Sequence, residues 1–316
     1  MKKSIALILT LILSLTALIS CQQPENNARV KINIGVMSGP TGMGMAMLMN
    51  ESSKSDSDLY SFDIYSAPTN ATADLASGAL DMLCLPTNTA AALATKQADY
   101  VTVIAVNCLG SLYLVSNESI EISSINDLEG QTIYASVPSS TTGPIIEFIL
   151  ERCGVNATIE FEADHDALVA KIKSGEAPIA VLPEPKVTAA LMQNSAYEVD
   201  LNLSEEWDKV SDLPLAMGCI VVRNDFLKEN EYSVKQFLID YKKSIAYINA
   251  PENLDSSAQM IVDAQILPKL PIAKGALSNL YGSIVYLDGE EMKNALEGFY
   301  EAIGLTSPGN DFYYEQ

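Results

Sequence analysis

Residues 31–37 alternate β-branched with smaller or polar positions and predict a strand. The stretch Ser38-Gly-Pro-Thr-Gly42 then predicts a turn built for close backbone approach, and residues 43–51 a helix. A strand–loop–helix unit sets free helix-start N–H groups just beyond a strand's C-terminal end, where small polar groups bind. The unit recurs about a hundred residues later, on the logic of internal repeats: strand 132–137, loop 138–143, helix 144–153. There Pro144 suits a first helical turn and Gly154 a helix end. A second echo follows in the same order. Ser77-Gly78 leads to Leu85-Pro86 and then Ala91-Ala-Leu93; Ser174-Gly175 leads to Leu182-Pro183 and then Ala189-Ala-Leu191. Two similar α/β lobes are expected.

Between these landmarks the pattern predicts strands at 60–66, 80–85 and 101–106, with helices at 72–77 and 90–97. This βα rhythm calls for a parallel, doubly wound sheet. A strand at 112–116 leaves the first lobe, and 125–130 leads into the second. That lobe continues with strand 158–162, helix 165–173, strand 178–182, helix 186–193 and a late strand at 198–201. Residues 214–222 predict a strand returning to the first lobe, and the chain beyond Asp225 is mainly helical. There Phe237, Tyr241, Ile245 and Ile248 fall at core-facing helical spacing. The expected fold class is therefore α/β: two doubly wound lobes joined by a two-strand hinge. Residues 31–117 and 215–316 form a discontinuous lobe 1, and 118–214 form lobe 2.

The N-terminus changes the picture. Met1-Lys-Lys3 is basic, residues 5–19 are apolar and uncharged, and Leu18-Ile-Ser-Cys21 follows. An apolar run this short reads as a signal segment rather than a span, which needs about 20 residues. The four residues resemble a bacterial lipobox, with residues 1–20 as signal, Cys21 as the lipidated residue and 21–30 as a polar tether. An ordinary signal peptide or an uncleaved anchor is the alternative. Roughly 295 residues remain, enough for two domains of ordinary size, and the 48% hydrophobic content supports a packed core. The formal charge of −21 argues against a nucleic-acid binder, which carries a basic face, and against electrostatic adhesion to anionic lipid.

Cys84 and Cys153 sit in apolar patterns and look like small buried hydrophobes. Cys108 and Cys219 lie near the two crossings and are the candidate disulfide pair. His165 is the only histidine and falls in Glu162-Ala-Asp-His-Asp166, which looks like a solvated loop and helix start, so no metal site is expected.

With these parts placed, the chain resembles the type II periplasmic binding proteins, and within them the nitrate, sulfonate and thiamine-precursor branch of ABC-transporter lipoproteins. The resemblance rests on Leu75-Ala-Ser-Gly-Ala-Leu-Asp81, on Ser124-Ile-Asn-Asp-Leu-Glu-Gly-Gln131, on Pro138-Ser-Ser-Thr-Thr-Gly143 and on Leu182-Pro-Glu-Pro185, in that order. It implies a ligand held between the lobes, hinge closure and delivery to a membrane permease.

Ligands of open α/β lobes bind beyond the strand C-termini, which gathers the loops 38–42, 67–70, 86–89, 138–143 and 183–185 around one cleft. The candidate ligand-binding residues are Ser38, Gly39, Thr41, Gly42, Pro68, Thr69, Thr87, Asn88, Ser139, Ser140, Thr141, Thr142 and Glu184. Each Ser, Thr or Asn among them is equally explained as a helix cap or turn former. No Arg or Lys lies in these loops and Lys186 only borders the last. A carboxylate usually draws a bidentate Arg, so a neutral or cationic ligand is expected, or an anion held by hydroxyl and N–H groups alone. Glu184 is the candidate for an amine or ring N–H. Met37, Met43, Met45, Met47 and Met49 cannot share one helical face, so most are expected in the core against the sheet and others toward the cleft or the other lobe. Tyr65, Tyr113, Tyr134 and Tyr281 are candidates to stack on a ring or to pack against strands.

The expectation is an extracytoplasmic, lipid-anchored solute-binding protein, monomeric, without cofactor or catalysis, serving an ABC permease. The alternatives are a same-fold sensor without transport, or a same-fold enzyme of pyrimidine or menaquinone-type metabolism.

Overall fold

The computed structural model describes residues 28–55, 58–97, 99–136 and 140–315. The expected signal segment, Cys21 and Ser139 lie outside the described residues. Among the described residues no helix is long and apolar enough to cross a membrane.

The first half of the chain runs β1 (Ile32–Met37), α1 (Pro40–Met43), α2 (Ala46–Lys54), β2 (Tyr60–Tyr65), α3 (Pro68–Ser77), β3 (Met82–Pro86), α4 (Thr87–Lys96), β4 (Val101–Leu109) and β5 (Leu112–Asn117). The middle continues β6 (Thr132–Ser136), α5 (Thr142–Cys153), β7 (Thr158–Glu162), α6 (His165–Ser174), β8 (Ile179–Pro183), α7 (Lys186–Leu191), β9 (Tyr197–Asn202) and α8 (Leu203–Asp208). Then come β10 (Ala216–Arg223), α9 (Asn224–Ile248), α10 (Leu254–Asp263), α11 (Leu270–Asn279), β11 (Ile284–Leu287) and α12 (Gly289–Ala302).

The strands form two sheets, in the orders β11-β4-β10-β3-β1-β2 and β7-β6-β8-β5-β9. Setting β11 aside, the two are the same sheet made twice. In the first, β2, β1 and β3 are mutually parallel, and β10 runs antiparallel between β3 and β4. In the second, β7, β6 and β8 are parallel, and β5 runs antiparallel between β8 and β9. The repeat seen in the sequence is thus a repeat of topology. The inserted antiparallel strand is in each case the one that has just crossed over from the other sheet.

This exchange moves one expected boundary. β5 was expected to close lobe 1 at residue 117, but it is a central strand of the second sheet, so the first crossing falls at residues 110–111. Its buried, apolar sequence suits the middle of either sheet. Gly110 makes the crossing possible. Its φ is +55°, and a Cβ there would lie 1.8 Å from Ser204 Oγ. The second crossing comes just before β10, and the two crossings touch through the Gly110 N–H donating to Leu215 O at 2.8 Å.

Four helices begin earlier than expected. α3 starts at Pro68, α4 at Thr87, α5 at Thr142 and the first turn after β1 at Pro40. Pro is tolerated at a first helical position, and the extended Ala67 and Pro86 are the cap residues from which α3 and α4 start. The helix expected over 43–51 is split at 44–45, where Gly44 lets α9 approach: a Cβ there would sit 2.5 Å from Ile245 and 2.7 Å from the Tyr241 hydroxyl. The chain beyond Asp225 is mainly helical as expected, and β11 is the strand that interrupts it.

One continuous apolar cluster spans both sheets, joining Val103, Val106 and Phe299 to Ile133, Ile146 and Trp207. A second lies under the long C-terminal helices, where Phe237, Tyr241, Ile245 and Ile248 pack as expected together with Met43 and Met45. Asp81, the acid of the Leu75–Asp81 motif, is a structural clamp. It accepts from the Asn33 backbone N–H at 2.9 Å, from Asn33 Nδ2 at 3.1 Å and from Arg223 at 3.3 Å.

Candidate binding site

The C-terminal ends of β1, β3, β6 and β8 face one another across a cleft of about 430 Å³. From the first lobe it is lined by Ser38, Gly39, Thr41, Pro68 and Asn88; from the second by Ser140, Thr141, Thr142 and Glu184. These nine of the thirteen expected residues are brought together, and Gly39 and Pro185 approach so closely that a Cβ on Gly39 would lie 3.9 Å from the proline ring.

Three expected residues do not line the cleft. Gly42 is buried beneath the turn, where a Cβ would strike Met37 O at 2.2 Å. Thr87 is fully buried and its hydroxyl donates to Ala216 O at 2.8 Å, holding α4 against β10. Thr69 lies on the exposed first turn of α3, its carbonyl accepting from Thr72 Oγ1. Gly42 and Thr69 are taken up by their own turns, whereas the Thr87 hydroxyl is held by a strand 129 residues away and caps nothing.

The floor is made by the two crossings: Cys108, Ser111 and Leu112 on one side and Met217 on the other, with Ser111 Oγ donating to Met217 Sδ at 3.6 Å. Asn107, fully buried, donates from Nδ2 to Thr41 O at 2.8 Å and so holds the first binding turn over the sheet. Cys108 and Cys219 are both free and buried, so the candidate disulfide is not formed. They leave from Cα positions paired with different neighbours, Cys108 with Gly218 and Cys219 with Val106. Burial pushes the Cys108 thiol up to about 12, which makes it a small apolar wall.

Of the methionines, Met37 reaches the cleft while Met43 and Met45 are core. None of the four candidate tyrosines lines it. Tyr65 donates to Asp74, Tyr113 to Asn279 O, Tyr134 lies under Lys171, and Tyr281 is exposed.

Glu184 is 1% exposed. Its carboxylate accepts from Thr188 N–H at 3.2 Å, from Thr188 Oγ1 at 3.0 Å and from Asn279 Nδ2. Burial raises its pKa above the ordinary carboxylate range, against the lowering effect of these donors. Asn279 ends α11, so the Glu184 carboxylate ties the second lobe to a helix of the first. The Glu184 backbone N–H adds a bond to Ser111 O at 2.8 Å.

Besides the floor residues, the cleft takes in two side chains outside the thirteen candidates that carry an ammonium or an imidazole. Lys186, which follows the loop 183–185, lines the cleft and is paired with Asp166. His165 was read as solvated; it lines the cleft, with Nδ1 2.6 Å from Ser136 Oγ. Burial first and then the Lys186 charge lower its pKa, with Asp166 and Asp164 opposing. The Asp164 cap, which accepts from Ala167 N–H at 2.8 Å, did announce the helix start that positions it. Among the described residues no cluster of His, Cys, Asp and Glu could hold a metal ion. A larger open groove, about 610 Å³, lies along β2 between Met49, Phe62 and Met260, but takes residues from one lobe only.

This architecture is shared with solved structures. An ABC transporter from Parabacteroides distasonis superimposes with a TM-score of 0.75 at 20% identity, covering 92% of this chain and 100% of that one. The periplasmic aliphatic sulphonate binding protein SsuA from Escherichia coli gives 0.69 at 15% identity, covering 91% and 93%. The periplasmic nitrate-binding protein NrtA from Synechocystis PCC 6803 gives 0.59 at 13%, covering 83% and 74%. At these identities the likeness shows the fold, that of the type II periplasmic binding proteins. No curated protein sequence matches the chain. A sequence family described as menaquinone biosynthesis matches residues 45–304, which take in both lobes and every loop of the cleft except the turn after β1. By that match the chain belongs to the menaquinone biosynthesis family, carried on a periplasmic-binding-protein fold.

Proposed function

We propose that the chain captures a small organic molecule between its two lobes and delivers it to an ABC importer. It acts outside the cytoplasm as a monomer without a cofactor, held to the membrane by a lipid on Cys21. The observation that carries this reading is the cleft itself. It draws hydroxyl groups from both sheets, Ser38 and Thr41 facing Ser140, Thr141 and Thr142, over a floor built from the crossings. Such a site can enclose a ligand only with the lobes together, which is the coupling a binding protein needs. Its one cationic side chain, Lys186, is spent on Asp166. The ligand is therefore held by hydroxyl, N–H and imidazole groups rather than by a charged clamp. The likeness to binding proteins of importers and the lipobox-like Leu18–Cys21 support the placement.

A second reading is favoured by the family match and by one observation. His165 and Glu184, both with displaced pKa values, line the same cleft, and displaced titratable groups gather at catalytic sites. In that reading the cleft performs a step of small-molecule metabolism.

Thermal-shift screening of the purified chain against sulfonates, vitamins, aromatic acids and amines separates the two. A ligand that raises the melting temperature and is recovered unchanged supports binding. Conversion of any of them to product replaces the first reading by the second. No stabilisation by any class removes the first.

A further inference from the structure

His165 is placed by two fixed things. It opens α6 behind the Asp164 cap, and its Nδ1 lies 2.6 Å from the hydroxyl of Ser136 at the end of β6. Ser136 is fully buried, and among the described residues its hydroxyl has this imidazole nitrogen as its hydrogen-bond partner. A neutral imidazole has one donor nitrogen and one acceptor nitrogen. If Nδ1 carried the proton, it would donate to Ser136 Oγ and leave the buried hydroxyl hydrogen without an acceptor among the described residues, an outcome that folded proteins avoid. If Nδ1 is bare, the hydroxyl donates to it and both groups are satisfied. The ring's proton is then on Nε2, at the opposite edge of an imidazole that lines the cleft.

Resting on the binding reading, we infer that Ser136 locks His165 as the Nε2–H tautomer and that this N–H selects ligands offering an acceptor oxygen to the second-lobe wall. The charged surroundings agree. From α7 comes Lys186, from α6 itself Asp164 and Asp166, and from the loop after β8 the Glu184 carboxylate, which is occupied by Thr188 and Asn279. Burial, and then the Lys186 charge, favour the neutral ring, the state in which the tautomer has meaning. Ser140, Thr141 and Thr142 can either donate or accept. Lys186 and Glu184 also have a fixed sense but already hold Asp166 and accept from Thr188 and Asn279, so the imidazole adds a further donor of fixed sense to this wall.

His165 is the only histidine in the chain, so a protein prepared with 15N-histidine and no histidine tag has a single imidazole to observe. Long-range 1H–15N spectra at pH 8 are expected to show a protonated Nε2 and a bare Nδ1. Ser136→Ala should turn this into a mixture of tautomers while leaving the fold, judged by circular dichroism, intact. His165→Gln is the folding control for the ring itself. The probes are benzoate, which offers acceptor oxygens, and benzamidine, of like shape but offering only donors. Benzoate should move the Nε2 signal of the wild-type chain and benzamidine should not. A protonated Nδ1 or an even mixture in the wild type overturns the lock. A signal that benzoate leaves unmoved up to its solubility, or that benzamidine moves equally, overturns the selection. The tautomer is read without any ligand, so it stands or falls apart from the binding reading, which the melting screen tests.

Discussion

Asn279→Ala isolates the contact that ties the lobes through Glu184. The substitution removes one of three donors to a carboxylate that is 1% exposed, while Thr188 keeps the other two. A hydrogen bond to a charged group contributes about 1.5–3 kcal/mol, against about 0.5–1.5 for a neutral pair. The effect should therefore depend on whether Glu184 is ionised. Its folded pKa lies above the ordinary 4.5 because burial outweighs the donors. A raised carboxyl pKa gives a contribution to stability that is present below about 4.5 and lost as pH rises through the folded value. Removing a donor raises the folded pKa further and carries that loss to higher pH. The deficit of the variant should then be smallest at pH 4.5 and about twice as large at pH 8. For a chain of this length about 2 °C accompanies each kcal/mol, so calorimetry should find a melting temperature lowered by roughly 3–6 °C at pH 8. Tyr113→Phe is the control, since that hydroxyl donates to the Asn279 carbonyl, a bond with no carboxylate in it. Its deficit should not change across the same range. A deficit for Asn279→Ala that is equal at both pH values, or larger in acid, refutes the reasoning.

Asp81→Ala should destabilise by about 2–3 kcal/mol, because it leaves the Asn33 N–H and Arg223 without their buried acceptor, though Arg223 keeps Asp225; the shift in urea midpoint measures it. Gly218→Ala should cost about 1–3 kcal/mol by overpacking. The new Cβ would sit 2.5 Å from Thr41 Cγ2 and 2.7 Å from Asn107 Oδ1, so any ligand found by the melting screen should also bind this variant more weakly than its stability loss accounts for. Trp207, the only tryptophan, lies 4.7 Å (ring to ring) from Phe148 of α5 and 6.0 Å from Phe299 of α12. Its emission should change with any ligand that draws the lobes together, and ligand binding with unaltered emission would remove the hinge from the proposal.

The two lobes were legible because their cues are local. Gly78 and Gly175 are both left-handed helix ends, at φ near +80°, and Leu-Pro ends both β3 and β8. What could not be read is what depends on partners far along the chain. The helix starts at Thr87 and Thr142 look like loops until the fold shows them buried. His165 looks solvated until Ser136, 29 residues away, meets its ring. The exchange of β5 and β10 is the deepest case, since a strand buried on both faces carries no mark of which sheet it enters. That exchange also explains the cleft. Each crossing strand lies beside the strand that ends in the other half's binding loop: β5 beside β8 and its Glu184, β10 beside β3 and its Asn88. Each sheet's floor is thus covalently continuous with the opposite lobe, through short segments bonded to each other at Gly110 and Leu215. Any rotation of one lobe against the other must pivot there, at Ser111 and Met217, and so must alter the shape of the space between the hydroxyl-bearing loops.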